Sequence, residues 1–414
     1  MQLSAPAHEG KYTVQLALIV ALFGAIGFIT AMNDVLVPHF KDLFQLTNLK
    51  ALLVQSAFFG AYFLLAIPSG KIVGRIGYRN GITASMGVVG LGLLLFLPAS
   101  NLISYPLFLF ALFVVGSGLA LLQVAVNPYI SALGDPSKAA SRLNMAGFMN
   151  SLGGTAAPKV GAVFIFIAAG ASAAELARSV RTPYVVLAGL AFLMAVVTRL
   201  VPLPEIVQQA EAGETLTGSA WDFRQLRFGL FGIFCYVGSE VAIGSLLINY
   251  LGLPSMGSMS HSQAALYVSL YWAGSLVGRF LGIFITQFVT QTNTLRVAAI
   301  MASLLVLTAI LTTGHTSMWA LVLVGLFNSV MWPCIFPMSI EGLGKYTGQA
   351  SGLLVMMIVG GALVPPLQGF LADHYGYRPS FIVMLVCYLY ISFFAWSGHK
   401  ASRPLDDVVL APGV

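Results

Sequence analysis

Residues 13–38 read TVQLALIVALFGAIGFITAMNDVLVP. The run is apolar as far as Met32, meets Asn33-Asp34, and turns apolar again. An apolar stretch of about 20 residues crosses the hydrocarbon core as a helix, because a helix satisfies its own backbone polar groups where no water can. The run is too long for a cleaved leader, holds a charged residue and lacks a small-x-small pattern at its end, so it reads as a membrane span. Its carboxylate is the second message. A charge at the bilayer centre costs about 2.5–3.5 kcal/mol, so Asp34 needs a reason to be there.

The rest of the chain follows the same pattern. Of 414 residues, 58% are hydrophobic and 8% charged, and the net charge is +6. Soluble domains are about a quarter charged, so too few charges exist here to cover a water-facing surface. A soluble enzyme, a disordered chain and a nucleic-acid binder are thereby excluded. Twelve apolar stretches are predicted as spans: 13–38, 51–73, 80–99, 104–133, 141–168, 182–202, 226–251, 263–286, 295–313, 317–342, 349–372 and 380–398. The fold class is an all-α membrane protein with twelve transmembrane helices. Assigning Lys and Arg to the short loops gives 14 on one side, Arg279 among them, and 5 on the other. The positive-inside rule then puts both termini in the cytoplasm. All six histidines are read as loop, tail or span-end residues, and Cys235, Cys334 and Cys387 as core residues.

The most polar segment, 203–225, falls between the sixth and seventh spans. It reads as a cytoplasmic linker between an N-terminal six-helix half (1–202) and a C-terminal six-helix half (226–414). Short internal matches support the division. Val73-Gly74-Arg75 closes the second predicted span and Val277-Gly278-Arg279 the eighth, 204 positions apart. Gly153-Gly154 with Pro158 matches Gly360-Gly361 with Pro365, 207 apart. Two parallel groups of six helices are the plan of major facilitator transporters, with the substrate site between the halves near mid-membrane.

Three charges lie well inside predicted spans: Asp34 in the first, Lys159 in the fifth and Glu240 in the seventh. These are the candidates for cation coupling. Buried carboxylates resist ionisation, which suits a group that loads and releases a proton. At 1.5 Å per residue, Asp34 and Lys159 differ in depth by about 5 Å, so the two charges can pair if their helices face one cavity. The competing reading has Lys159 snorkelling to the interface. The candidate substrate-binding residues are neutral: Asn33, Gln55, Gln123, Asn127, Asn144, Asn150, Asn249, Asn328 and Trp332. Amides donate and accept hydrogen bonds and an indole offers a flat face, a set suited to a neutral polyol. Interhelical hydrogen bonding is the alternative use of the same residues. Prolines 128, 158, 333, 337, 365 and 366 interrupt the spans and favour a moving protein over a static anchor. No phosphate loop, HExxH helix or GxSxG turn occurs, so neither an enzyme nor a cofactor is expected.

Several segments carry a resemblance to a known family. They are Asn33-Asp34-Val35-Leu36-Val37-Pro38, Leu52-Leu53-Val54-Gln55-Ser56-Ala57-Phe58-Phe59, Gln123-Val124-Ala125-Val126-Asn127-Pro128-Tyr129, Ser141-Arg142-Leu143-Asn144 and Phe148-Met149-Asn150-Ser151-Leu152-Gly153. The second half adds Tyr236-Val237-Gly238-Ser239-Glu240 and Phe336-Pro337-Met338-Ser339-Ile340-Glu341-Gly342-Leu343. Together they resemble the fucose–proton symporter family of the major facilitator superfamily, and within it the glucose/galactose transporter group. The resemblance implies a twelve-helix monomer importing a monosaccharide with a cation by alternating access. It implies a coupling role for Asp34 and a place on the sugar cavity wall for Asn150. Gln123 stands where the fucose transporter carries a protonatable glutamate, and Gly147 where a glutamine is common. The coupled cation is expected to be a proton, with sodium as the alternative. A drug or metabolite exporter and a sugar sensor are the rival functions.

Overall fold

The computed structural model describes residues 12–45, 48–165, 172–204, 219–256, 258–259 and 261–401. Twelve helical spans cover them. They are α1 (Thr13–Phe44), α2 (Asn48–Ile76), α3 (Tyr78–Asn101), α4 (Tyr105–Ala132), α5 (Ala139–Phe164) and α6 (Ala173–Leu200), then α7 (Arg224–Leu251), α8 (His261–Phe288), α9 (Gln291–Leu311), α10 (Gly314–Ile340), α11 (Gly344–Tyr375) and α12 (Tyr377–Gly398). Eleven of these are long and apolar enough to cross a membrane on composition alone. The exception is α5, which carries Arg142, Asn144, Asn150 and Lys159. Its polar load is tolerable because α5 is packed among α1, α8, α4 and α10.

Two spans, α10 and α11, are interrupted within their length. In α10 the helix breaks at Ser329-Val330, and Pro333 has no N–H for the carbonyl of Ser329 four residues back. In α11 a 3₁₀ turn over Met357–Val359 precedes Gly360-Gly361 and Pro365-Pro366. α2 stops at Ile76 because Gly77 follows with φ +80°, a conformation open to glycine.

Buried apolar residues form two clusters. One is drawn almost wholly from α1–α6, around Phe40, Phe58, Phe96 and Phe108. The other comes almost wholly from α7–α12, around Tyr250, Tyr271, Phe336 and Tyr388. The large apolar side chains on the outside, such as Leu190, Phe284, Leu311 and Val386, face where acyl chains would lie.

The halves meet along two seams at one end of the bundle, the end that holds the α2–α3, α4–α5, α8–α9 and α10–α11 turns. In the first, α2 packs on α11 so closely that a methyl group on Gly70 would sit 2.5 Å from the carbonyl oxygen of Gly348. One on Gly352 would sit 2.6 Å from that of Ala66. In the second, α5 packs on α8: the Ser141 hydroxyl donates to the Ile283 carbonyl (2.6 Å), and Asn144 fills the space beside Gly282.

Two expectations need correction. α1 does not end at Pro38 but continues to Phe44, so His39 is a buried helix residue contacting the Leu176 carbonyl (3.0 Å). Arg279 is not a loop residue. α8 runs nine residues past it, and the side chain lies between helices.

Candidate functional site

The site begins with the crossing of α1 and α5. Gly24 lies beside Met149, and side chains at Gly27 and Gly153 would collide with the backbone of Asn150 and Gly24. The Asn150 amide donates to the Phe23 carbonyl (3.2 Å). Moving up α1 from Gly24 through Gly27 to Ala31 moves up α5 from Met149 to Gly154, so the helices run parallel. Gly24 and Met149 are 125 positions apart, and so are residues 34 and 159. Two parallel helices in this register carry positions 34 and 159 at one height. Pro38 also deprives the residue 34 carbonyl of its helical donor, which leaves a polar backbone group at that level. The side chains of Asp34, Gln55 and Lys159 lie outside the described residues; Asn33 is buried in α1.

A second polar strip joins α2, α4 and α10. The Gln123 amide donates to the Tyr62 hydroxyl (3.1 Å), and Tyr62 leans on Phe58 and Phe59. One turn on, the Asn127 amide donates to the Gln123 carbonyl (2.8 Å). Its oxygen faces the Trp332 indole N–H at 3.4 Å, across the two halves. Trp332 stacks on Phe336 with an interplanar angle of 23°.

The third element is centred on Glu240 in the middle of α7. Its carboxylate is 3.8 Å from the Arg279 guanidinium of α8. That spacing makes an ion pair without a hydrogen bond. Tyr236, one turn earlier on α7, lies beside both charges. The Glu240 carbonyl accepts from the Tyr271 hydroxyl (3.0 Å), which accepts in turn from the Asn328 amide (2.9 Å). Arg279 does more than neutralise Glu240. It donates to the Gly147 carbonyl (3.2 Å) and to the Ser151 hydroxyl, both on α5 in the other half. One guanidinium therefore ties α8 to α7 within its own half and to α5 across the seam.

Of the residues singled out from sequence, Gln123, Asn127 and Trp332 come together, as do Glu240 and Asn328. Asn144 is wholly buried in the α5–α8 seam, with its amide on the Ala140 carbonyl. Asn249 is exposed near the end of α7, away from these groups. Arg279 was missed because Val-Gly-Arg matched the true end of α2. The signal against that reading is the apolar run Phe280–Phe288 that follows it.

Comparison with known proteins places this architecture. The sequence profile of the Major Facilitator Superfamily matches residues 16–358. The chain belongs to that superfamily. It is 43% identical over 95% of its length to a glucose/galactose transporter of Brucella abortus, 96% of which is covered. It is 32% identical to an L-fucose-proton symporter of Escherichia coli, with 93% of each chain covered. Among solved structures, FucP in the outward conformation superposes with a TM-score of 0.85 at 31% identity, covering 93% of this chain and 98% of that one. The proton:xylose symporter XylE shares the fold, with a TM-score of 0.74 at 15% identity, covering 97% of this chain and all of that one. The protein is thus a multi-pass membrane transporter of the major facilitator type. In transporters of this plan the contacts between halves at one end hold that end shut.

Proposed function

We propose that this protein imports a monosaccharide together with a proton by alternating access, as a monomer in the bacterial inner membrane with both termini cytoplasmic. The observation that carries the reading is the end-to-end likeness to a glucose/galactose transporter and a fucose-proton symporter, each over at least 93% of this chain. The moving bodies are residues 1–202 and 226–414, joined by a linker over 203–225. The two seams lie at the cytoplasmic end, so the state described is outward-facing.

Asp34 carries the coupled proton and Lys159 is its counter-charge, a pairing supported by the shared height of the two positions. A proton arriving from outside neutralises Asp34 and leaves Lys159 to polar neighbours and to the sugar. Release of that proton inside restores the pair and resets the carrier. Asn33, Gln55, Gln123 and Asn150 offer hydrogen bonds to hydroxyls, and Trp332 a flat face at the floor of the pathway. Arg279, held in place by Glu240, forms the cytoplasmic latch through its bonds to Gly147 and Ser151 in the other half.

The test is uptake into proteoliposomes from a panel of glucose, galactose, fucose and N-acetylglucosamine under imposed proton or sodium gradients. An inward proton gradient drives accumulation by wild type. Asp34→Asn retains sugar counterflow but loses gradient-driven accumulation, and Lys159→Ala uncouples in the same direction. Accumulation driven by sodium alone, or an Asp34→Asn protein that still concentrates sugar, overturns the proton reading.

A further inference from the structure

A crevice lies at the start of α7 beside the end of α12, away from both seams between the halves. Arg224, Arg227, Phe228, Phe231 and Tyr390 line this crevice of about 490 Å³. Arg224, Arg227/Phe228 and Phe231 sit at helical spacings of three to four and seven, so they share one face of α7. The guanidiniums are at its top, and Phe231 is about 10 Å deeper toward the membrane centre at 1.5 Å per residue. Opposite stand Tyr390 and Phe393 of α12. Phe231 is 59% and Phe393 41% exposed, which leaves an apolar floor open to the side of the bundle.

The parts are fixed in place. Tyr390 donates its hydroxyl to the Phe228 carbonyl (3.0 Å), and Phe228 meets Phe393 edge-on at 5.3 Å. The Arg224 guanidinium lies 5.3 Å over the Phe228 ring and reaches the Ser397 hydroxyl at 3.5 Å. Arg227 is exposed, and among the described residues neither arginine has a carboxylate partner. Two guanidiniums with no carboxylate partner among the described residues, set above an aromatic slot, match a phosphate, which arginine holds through paired N–H donors, with hydrocarbon beneath it. A basic pocket between spanning helices at the interface is where anionic lipid headgroups bind.

We infer that the α7–α12 crevice binds an anionic glycerophospholipid, with its phosphate on Arg224 and Arg227 and an acyl chain along Phe231, Tyr390 and Phe393. Charge complementarity decides for an anionic over a zwitterionic lipid, and the exposed aromatic floor decides for a lipid over free phosphate.

The test is native mass spectrometry of the full-length protein in detergent with equimolar dioleoyl phosphatidylglycerol and dioleoyl phosphatidylcholine. Wild type retains phosphatidylglycerol in preference. Arg227→Gln lowers that preference about five-fold, and Arg224→Gln/Arg227→Gln lowers it further, since each surface arginine contributes such a factor toward anionic lipid. Lys71→Gln, which removes an exposed cation at the same end outside the crevice, leaves the preference unchanged, and millimolar inorganic phosphate does not displace the lipid. The inference is overturned if Arg227→Gln binds phosphatidylglycerol as wild type does, if Lys71→Gln loses as much, or if inorganic phosphate competes it away. Arg227 makes no side-chain bond among the described residues, so its variant folds and the test does not depend on the double substitution.

Discussion

Ser151→Ala isolates one of the bonds that cross the α5–α8 seam. Arg279 keeps its ion pair with Glu240 at 3.8 Å and its bond to the Gly147 carbonyl at 3.2 Å, and loses only the Ser151 hydroxyl. A hydrogen bond to a charged group contributes about 1.5–3 kcal/mol net. The lower bound applies because a second acceptor remains. The Ser151 bond exists only while this end of the bundle is shut, whereas the Glu240–Arg279 pair lies within one half and moves with it. The lost bond is therefore subtracted from the closed state alone. About 1.5 kcal/mol shifts the closed-to-open ratio at this end by roughly ten-fold. The assay is a pair of spin labels at Ser137→Cys and Glu341→Cys, on the α4–α5 and α10–α11 turns, in a background lacking Cys235, Cys334 and Cys387. Double electron–electron resonance reads the ratio of short to long distances. Wild type gives mainly the short distance, and Ser151→Ala enriches the long one by that factor. An unchanged ratio in a folded Ser151→Ala protein refutes the latch.

Arg279→Gln leaves Glu240 buried without its partner, a loss of about 3–5 kcal/mol, and Arg279→Gln/Glu240→Gln regains most of it; thermal unfolding in detergent measures both. Gly27→Ala drives a methyl group into the Asn150 backbone and abolishes the monodisperse peak in size-exclusion chromatography, while Gly189→Ala, with open space around it, leaves the peak intact. Arg142→Ala frees the carbonyls of Ile130, Ser131 and Asp135 at the end of α4 and lowers the unfolding temperature. The amide and hydroxyl of Ser137 hold the Asp135 carboxyl below the usual carboxylate range. Its contribution is full at neutral pH and fades as pH falls through that depressed value. Asp135→Asn therefore lowers the unfolding temperature at pH 7, and the gap to wild type narrows below about pH 4.

The spans were legible because lipid imposes one simple demand: long apolar stretches that satisfy their own backbone. The division into halves was legible because Gly-Gly-x₃-Pro recurs in α5 and α11. Less was legible where the same local string meets different surroundings. Val-Gly-Arg ends α2, since Ile76-Gly77 breaks the helix and leaves Arg75 exposed. In α8 the triplet is followed by Phe280–Phe288, so the helix continues and carries Arg279 into the bundle. Its carboxylate partner is 39 positions earlier on another helix and its hydroxyl partner 128 earlier in the other half, distances no local pattern spans. Asn144 looked like a cavity amide for the same reason. An amide facing sugar and an amide facing Gly282 are spelled alike, and only the packing of α5 on α8 separates them.

The internal repeat relates α2 to α8 and α5 to α11, so the α2–α11 and α5–α8 seams are equivalent by pseudo-symmetry but differ in chemistry. The α5–α8 seam is held by hydrogen bonds from Arg279 and Ser141, which are lost as donor and acceptor part. The α2–α11 seam is held by backbones in contact at Gly70–Gly348 and Gly352–Ala66, where only shape matters. An alanine at Gly352 places its methyl 2.6 Å from the Ala66 carbonyl oxygen and wedges this seam apart. Opening at the same end relieves the clash, so Gly352→Ala shifts the spin-label ratio in the same direction as Ser151→Ala. The two substitutions act on different helix pairs and share no partner, so their effects on the logarithm of the ratio add. A double variant that opens no further than Ser151→Ala alone shows that the glycine seam does not move in the transition, and the halves then hinge there rather than separate.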